Sequence, residues 1–307
     1  MRSGFAGDTA TGRIQHGDTA MLCPSLLFAV YAKLRNFACK ITAMQIRTPQ
    51  EIAQLAAQTS QTKTDLTRRT GRLCVLGVMA GAYIALGGLL SVFCGFGFPE
   101  VSAANPAVQR ILSGLAFPLG LTLIVVLGGE LFTGNNALMM PALMTRKASP
   151  ALVARNWTVV WLSNFVGAQA FMWLMVVLTG LLDAPSPWRD GMASVAQAKA
   201  SLPWIQVFFR GIGANWLVCL ALWLAMSGKT LTEKALGCWL PVAAFVILGF
   251  EHSIANMFFI PCGMYCGADV TAAAMMWNNI VPATLGNIAG GALFVGTAHT
   301  RLFLKQR

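Results

Sequence analysis

The chain is dominated by long runs without Asp, Glu, Lys or Arg. Only 11% of its 307 residues are charged, against about a quarter in soluble domains. A helix needs roughly 20 apolar residues to cross a bilayer. The runs that flank Glu130 are shorter, as are those that flank Glu251 and His252, so each pair is joined into one interrupted crossing. This predicts six membrane crossings, the second and fifth broken. The runs are 73–99, 111–129, 131–145, 156–182, 211–228, 235–250, 253–268 and 270–300.

The net charge of +11 could indicate a nucleic-acid-binding protein, but the positions of the basic residues follow membrane topology. With both termini in the cytoplasm, 18 of the 22 Lys and Arg lie in the tails or in the second and fourth loops. The remainder lie on or near the other side: Arg110, Arg189, Lys199 and Arg210. This asymmetry is the positive-inside pattern. We therefore expect a multi-pass protein of the inner or plasma membrane that contacts the lipid bilayer and no nucleic acid.

The eight cysteines are scattered, mostly within apolar runs. Cys262 and Cys266 form the closest pair in the membrane region, with no second pair and no histidine beside them. Small apolar filling of helices explains such residues. We expect no metal site, no disulfide framework and no cofactor.

The sequence before the first crossing divides into two parts. Residues 1–47 are expected to be a disordered tail or the result of a start codon read too early, with a targeting segment as the alternative for residues 1–43. Thr48, Pro49 and Glu51 then have the arrangement of a capping box with proline at the first helical position. The helix predicted from there is amphipathic and lies along the cytoplasmic face, with Leu55 on its apolar side and Lys63 off it.

Two segments recur at a nearly constant distance along the chain. Glu130 and Asn135 recur as Glu251 and Asn256, 121 residues later. The segment 164–168 (NFVGA) recurs as 287–291 (NIAGG), 123 residues later. Three crossings per copy is an odd number, so the second copy enters the membrane from the opposite side. Inverted repeats with paired broken helices are typical of transport proteins whose site lies near the midplane. The fold class expected is thus all-α and polytopic, with two inverted three-helix repeats.

The broken helices carry the polar groups of the membrane region. Irregular backbone at this depth persists only where protein or a water-filled cavity satisfies it. We therefore expect the breaks to face each other across a pathway. Glu130 and Glu251 are predicted to cap backbone amides freed at the breaks, and Asn135 and Asn256 belong to the same structural group. A proton-relay role for either glutamate remains the alternative.

His252 has no counterpart in the first copy, where Leu131 takes its place. A lone histidine on an apolar face is usually a core residue, but ionisable groups at a helix break within the membrane are functional candidates. We predict that His252 lies in the transport pathway. Thr133, in the opposite break, is its expected hydrogen-bond partner.

Apolar side chains near the breaks could close the pathway on either side of His252. The candidates for such constrictions are Phe117, Leu121, Phe132 and Phe245, with ordinary packing as the alternative. A polar, Pro-rich outer loop is predicted for 183–202. Lys199 lies in it just before the fourth crossing, where an anion would approach, unless it is merely a solvated loop charge.

Four segments resemble the formate/nitrite transporter family. They are 249–258 (GFEHSIANMF), 130–133 (ELFT), 215–220 (NWLVCL) and 285–288 (LGNI). The resemblance covers about 48–303, the expected channel domain, and leaves 304–307 as a C-terminal tail. It implies a homopentamer of aquaporin-like protomers, each with its own pore for small monovalent anions of weak acids, including formate, nitrite, hydrosulfide and lactate.

The resemblance also implies roles for individual residues. The family's central histidine falls on His252 and its threonine partner on Thr133. Its vestibule lysine falls on Lys199, and its polar pore asparagines fall on Asn215 and Asn287. Its slit residues fall on the four apolar constriction candidates. Arg210 departs from the family pattern, because an apolar residue is more usual there.

The function expected from these observations is passage of a small anion, formate first, alone or with a proton. Nitrite or hydrosulfide passage is the alternative within the family. A neutral-solute channel of the aquaporin type is a second alternative, although Asn135 and Asn256 are not followed by the proline that completes Asn-Pro-Ala turns. A haem-binding membrane enzyme would need facing ligands at depth, and His299 lies at the end of the sixth crossing. We therefore expect no enzymatic activity.

Overall fold

The computed structural model describes residues 32–33 and 46–304. The predictions for 1–31, 34–45 and 305–307 lie outside these residues. Residues from Ile46 onward form one compact unit, and the secondary structure of its described part is helical. Its helices are α1 (Pro49–Thr67), α2 (Thr70–Gly95), α3 (Pro99–Ala104), α4 (Pro106–Leu127), α5 (Phe132–Leu138), α6 (Met140–Met144), α7 (Pro150–Val177), α8 (Pro187–Ala200), α9 (Trp204–Ser227), α10 (Leu231–Ile247), α11 (Ser253–Tyr265) and α12 (Ala272–Phe303).

Five helices of the described part are long and apolar enough to cross a membrane, namely α2, α4, α7, α9 and α12. The fifth predicted crossing is divided between α10, of 17 residues, and α11, of 13 residues. The shorter helices α5 and α6 continue the chain beyond the first break.

The segment 183–202 was predicted to be a loop, but most of it is helix α8. Ser186 caps this helix by accepting a hydrogen bond from the backbone N–H of Arg189, and Pro187 occupies the first turn. Serine followed by proline is a helix start as well as a loop signal, and packing decides between the two. Here α8 packs so closely on α11 that a Cβ on Gly263 would lie 2.2 Å from the Ala196 side chain.

Helix α1 begins as predicted, with both hydrogen bonds of the Thr48–Glu51 capping box. Its buried residues are both polar and apolar. Ser60, Lys63 and Thr64 are buried, and so is Ala56 on the predicted apolar side, whereas Leu55 is only half-buried. Ala56 belongs to the apolar core, so this helix packs on the core and buries polar groups as well.

The helices of each half cross at glycines. A Cβ on Gly81 of α2 would lie 2.0 Å from the backbone oxygen of Asn164 in α7. A Cβ on Gly286 of α12 would lie 2.1 Å from the backbone oxygen of Phe208 in α9. Small residues allow such backbone contact between membrane helices. The same kind of crossing therefore occurs in both halves.

The two breaks have the same backbone conformation. Gly128 ends α4 with φ of 84°, and Gly249 follows α10 with φ of 71°. Left-handed backbone favours glycine because other side chains clash there, and glycine in this conformation is a common helix end. These glycines are 121 residues apart, the same distance as the two glutamates.

Substitution of Gly81 by alanine tests the close crossing of α2 and α7. We expect it to lower the free energy of unfolding by at least about 2 kcal/mol, because the backbones must separate. Thermal unfolding of the purified protein in detergent measures the change. Gly71→Ala is the matched control, since no atom lies within 4 Å of its added Cβ. Equal midpoints for the two variants would contradict the prediction.

Candidate functional site

His252 joins the two helix breaks. Its Nε2 lies 3.0 Å from the Thr133 hydroxyl oxygen, and its Nδ1 accepts a hydrogen bond of 3.1 Å from the backbone N–H of Ala255. Because Nδ1 accepts, the proton of the neutral ring is on Nε2, which donates to Thr133. The predicted Thr133–His252 bond is therefore present. It leaves the hydroxyl proton of Thr133 available for another acceptor.

The ring of His252 is also the N-cap of α11. A second proton would have to bind at Nδ1, where it would face the N–H of Ala255. A cationic ring would thus lose the cap and leave a buried amide without a partner, which is costly. The geometry holds His252 as a neutral donor through Nε2.

Asn164 satisfies the backbone of the first break. Its Oδ1 accepts a hydrogen bond of 2.9 Å from the N–H of Phe132, and its Nδ2 donates to the carbonyls of Gly77 and Glu130, each at 2.8 Å. One side chain thereby ties the start of α5, the break itself and helix α2 together.

Asn287 does the same for the second break. Its Oδ1 accepts from the N–H of Ser253 at 2.8 Å, and its Nδ2 donates to the carbonyls of Gly211 at 2.8 Å and Glu251 at 3.0 Å. Each partner is the counterpart of one in the first half. The repeat read from the sequence is thus repeated in the hydrogen bonds.

The carboxylate of Glu130 lies in a buried polar cluster. Lys63 Nζ donates to both of its oxygens at 2.8 Å, and Asn135 Nδ2 donates to Oε2 at 2.8 Å. Asn135 also donates to the Asn156 side chain at 2.9 Å.

The second half contains an equivalent cluster. Lys199 Nζ lies 3.1 Å from both oxygens of Glu251, and Asn256 Nδ2 donates to Glu251 Oε2 at 2.6 Å. Asn256 donates to the Asn279 side chain at 2.7 Å. Lys199 is therefore not a solvated loop charge.

The prediction that the glutamates cap backbone amides is wrong. Both carboxylates accept hydrogen bonds from lysine and asparagine side chains. Other groups cap the amides of the breaks: the side-chain oxygens of Asn164 and Asn287, and the ring of His252. Free carboxylates would be expensive at this depth, so each is neutralised by its lysine.

Sequence reasoning missed three members of these clusters. Asn156 and Asn279 are 123 residues apart, the same distance as Asn164 and Asn287, so spacing was a usable signal. Lys63 gave no comparable signal. It lies on α1, before the repeated segments, and its partner is fixed by the docking of that helix.

Asn215 and Asn287 were predicted to lie along the pathway. Asn215 is fully buried, and its Nδ2 donates to the carbonyls of Thr133 at 3.1 Å and Asn287 at 2.6 Å and to the side chain of Asn136 at 3.1 Å. Neither Asn215 nor Asn287 is among the residues that line the two cavities described next. Both side chains instead hydrogen-bond to backbone groups of the breaks.

Two cavities approach the break region. The His252 cavity, of about 290 Å³, is lined by His252, Lys199, Phe117 and Phe245 among others. The Lys63 cavity, of about 450 Å³, is lined by Lys63, Glu130, Leu121, Gly134 and others.

Apolar side chains are part of the lining of both cavities. The rings of Phe117 and Phe245 are 5.6 Å apart between centroids, and the Phe245 ring lies 5.8 Å from the ring of His252. Leu121 is one turn beyond Phe117 on α4 but lines the other cavity. Phe132 is buried and lines neither of the two. Three of the four predicted constriction residues therefore stand at the cavities.

Basic side chains line both cavities. Lys199, Arg110 and Arg210 line the His252 cavity. Lys63, Arg47 and Lys234 line the other. Each cavity contains one glutamate, so each retains a net positive charge, which raises the local concentration of anions.

The sequence model of a family described as "Formate/nitrite transporter" matches residues 50–301. The chain belongs to the formate/nitrite transporter family. This match covers the described helices from α1 to α12.

Named relatives in the formate/nitrite transporter family agree with this assignment. The chain is 43% identical over 251 residues to the "Probable formate transporter" of Methanothermobacter thermautotrophicus, covering 77% of this chain and 90% of that protein. It is 35% identical over 267 residues to "Formate channel BtFdhC" of Bacillus thuringiensis, covering 86% and 98%. A solved structure titled "Pentameric formate channel with formate bound" is 32% identical and has a TM-score of 0.69, covering 78% of this chain and 99% of that one.

Variants of the Lys63–Glu130 pair test the buried cluster of this formate/nitrite transporter. We expect Lys63→Met to lower the free energy of unfolding by about 3 kcal/mol, because it leaves a buried carboxylate without a cation. Lys63→Met with Glu130→Gln should cost less than the sum of the two single variants, since the groups interact directly. Thermal unfolding in detergent measures all three.

The control for this comparison is Lys147→Met, which removes an exposed charge and should change stability by no more than about 0.5 kcal/mol. If the losses in the free energy of unfolding for Lys63→Met and Glu130→Gln were strictly additive, the two side chains would not stabilise each other.

Proposed function

We propose that this family member conducts small monovalent anions of weak acids, with formate as the leading substrate. The observation that carries the proposal is the Thr133–His252 pair, a fixed hydrogen-bond donor among apolar side chains and between two positively charged cavities. The arrangement attracts anions from either side and offers one polar contact where His252 joins the two breaks.

The energetics explain why both parts are needed. An anion that leaves water for apolar surroundings loses its hydration, and an unpaired charge there is prohibitive. Glu251 and Glu130 offset the charges of Lys199 and Lys63. The positive potential that the anion first meets therefore comes from the other basic residues of the linings, which are Arg110 and Arg210 in one cavity and Arg47 and Lys234 in the other. Desolvation between Phe117 and Phe245 then favours the neutral acid over the anion. The protonated acid crosses the apolar region, and the reverse steps release the anion.

His252 acts in this proposal by orienting, and a proton taken up from the bulk solution and relayed through cavity water neutralises the anion, so that no hydroxide is left behind. Two contacts support this assignment. The Ala255 N–H occupies Nδ1, and the Nε2 proton is directed to Thr133. Thr133 is fully buried and lines neither cavity, so in this proposal its hydroxyl meets a carboxylate or nitrite oxygen after the anion has left the His252 cavity. His252 fixes the hydroxyl oxygen through its Nε2–H, which leaves the hydroxyl proton available for that acceptor.

Formate leads because of the relatives. Those cited above carry formate in their printed names, and one solved relative is described with formate bound. Nitrite and hydrosulfide remain the alternatives, since the His252 cavity is large enough for any of them.

The proposed assembly and topology rest on family and charge. Six crossings are proposed, in two inverted halves of three, within a channel domain of residues 48–303. A homopentamer is proposed by analogy with the solved formate channel. Both termini are placed in the cytoplasm by the positive-inside pattern, which puts Lys63 on the inner side and Lys199 on the outer side. Exposed apolar side chains such as Leu178 and Trp277 would face lipid or neighbouring copies.

Anion uptake into proteoliposomes tests the function. Formate, nitrite, hydrosulfide and lactate would be compared at several pH values for the wild type, His252→Ala and His252→Asn. We expect the wild type to take up formate fastest at low pH, where the neutral acid forms more readily. Both variants should lose at least about tenfold in rate, because one charge-assisted or well-placed hydrogen bond in a dry site contributes at least that much.

His299→Ala is the matched control. This histidine is half-buried at the end of α12, where its Nδ1 lies 3.1 Å from the Val295 carbonyl, and it lines neither cavity. The His299→Ala variant should conduct formate like the wild type. If the His252 variants also retain the wild-type rate and pH response, the proposed mechanism is wrong. If the wild type conducts none of the four anions, the proposed function is wrong.

A further inference from the structure

Two arginines of the His252 cavity have no carboxylate partner. The described residues contain two ion pairs, Lys63–Glu130 and Lys199–Glu251. The Glu251 carboxylate in the cavity wall is already engaged by Lys199, Asn256 and Asn279. Arg110 and Arg210, which line the same cavity, are therefore not neutralised within the described part of the chain.

Arg210 lies directly beside the break that carries His252. Its backbone carbonyl accepts a hydrogen bond of 3.3 Å from the N–H of Glu251. Its side chain makes one long contact, from Nη1 to the Gly249 carbonyl at 3.5 Å. A guanidinium has five N–H donors, so most of the donors of this half-buried side chain are uncommitted.

The first half shows that the break does not need an arginine here. The equivalent hydrogen bond runs from the N–H of Glu130 to the carbonyl of Leu76, at 3.1 Å. The position is thus apolar in one copy and basic in the other, while the backbone contact is the same. The two halves share only the backbone carbonyl at this position, so the break does not require the Arg210 guanidinium.

We propose that Arg210 is the residue of the His252 cavity that recognises the shape of the anion. Its planar fork forms two parallel N–H···O bonds with a monoanion that has two oxygens on one atom, the class of formate and nitrite. Arginine suits such acceptors because its donors match their spacing, whereas an ammonium acts as a point charge. This proposal rests on the proposed function and adds selectivity to it.

The assignment separates two properties of the cavity. Lys199, Arg110 and Arg210 all attract anions by charge, and that attraction falls with ionic strength. The fork of Arg210 adds geometric preference, because hydrosulfide offers a single sulfur and cannot accept two parallel bonds from it. Oxyanions with two oxygens are therefore held more tightly than hydrosulfide before they reach Thr133.

Two substitutions of Arg210 distinguish charge from shape. Arg210→Leu places in the second half the residue found in the first, so it should fold. Arg210→Lys keeps the charge and removes the fork. In proteoliposomes we expect Arg210→Leu to raise the KM for formate and for hydrosulfide by about threefold to tenfold, as for a charge-assisted contact that is partly screened. Arg210→Lys should restore the KM for hydrosulfide alone, with maximal rates unchanged.

The control is Arg189→Gln, which removes a charge from the segment before the fourth crossing but not from the cavity lining. It should leave both KM values unchanged. Binding of ¹³C-formate to the detergent-solubilised protein, followed by NMR line broadening, gives a second readout that does not need transport. Formate binding should weaken in both Arg210 variants.

The outcomes separate this inference from the proposed function. Unchanged KM and unchanged formate binding in Arg210→Leu would overturn it while leaving the channel function intact. If Arg210→Lys restored both KM values, Arg210 would act only as a point charge, and the proposed recognition of anion shape would be wrong. If the wild type conducts no weak-acid anion, the function fails, and the formate titration alone decides the role of Arg210.

Discussion

The structure depends on satisfying backbone groups at two helix breaks. Membrane-spanning backbone has no water to bond with, so each free N–H or C=O at the breaks must find a protein partner. Asn164 and Asn287 provide those partners, each through one acceptor and two donor bonds. Because these two asparagines satisfy the backbone, other side chains at each break are free to act as functional groups. In the proposed function, Thr133 and His252 are those groups.

The two halves satisfy their breaks with the same kinds of hydrogen bond and differ at individual side chains near the breaks. Each half has a lysine, a glutamate and two asparagines in one buried cluster. The first half has Leu131 and Leu76 where the second has His252 and Arg210. The replacements add a ring donor at the centre and a guanidinium in one cavity. Equivalent hydrogen bonds in the two halves thereby support different side chains.

Burial ties the protonation state of His252 to the fold. Since Nδ1 caps α11, its role as an acceptor is fixed by the backbone of the same helix, and the donor role of Nε2 follows. The hydrogen-bonding roles of the His252 ring are thus set by helix geometry as much as by residue type. Glycine crossings between α2 and α7 and between α9 and α12 hold that geometry.

The sequence by itself determined the membrane class, the repeat, the positions of both breaks and the Thr133–His252 pair. These follow from apolar run lengths and from spacing, which are local or periodic properties. Only the tertiary structure decided which polar groups hydrogen-bond to each other. The partners of Glu130 and Glu251, the burial of Lys63 and the helical form of 187–200 depend on contacts between distant segments. Asn215 and Asn287 were assigned to the pathway from the family resemblance, yet they line neither cavity and hydrogen-bond to backbone groups of the breaks. A polar side chain in a membrane helix looks the same in sequence whether it faces a cavity or a backbone carbonyl, and only the packing of neighbouring helices separates the two.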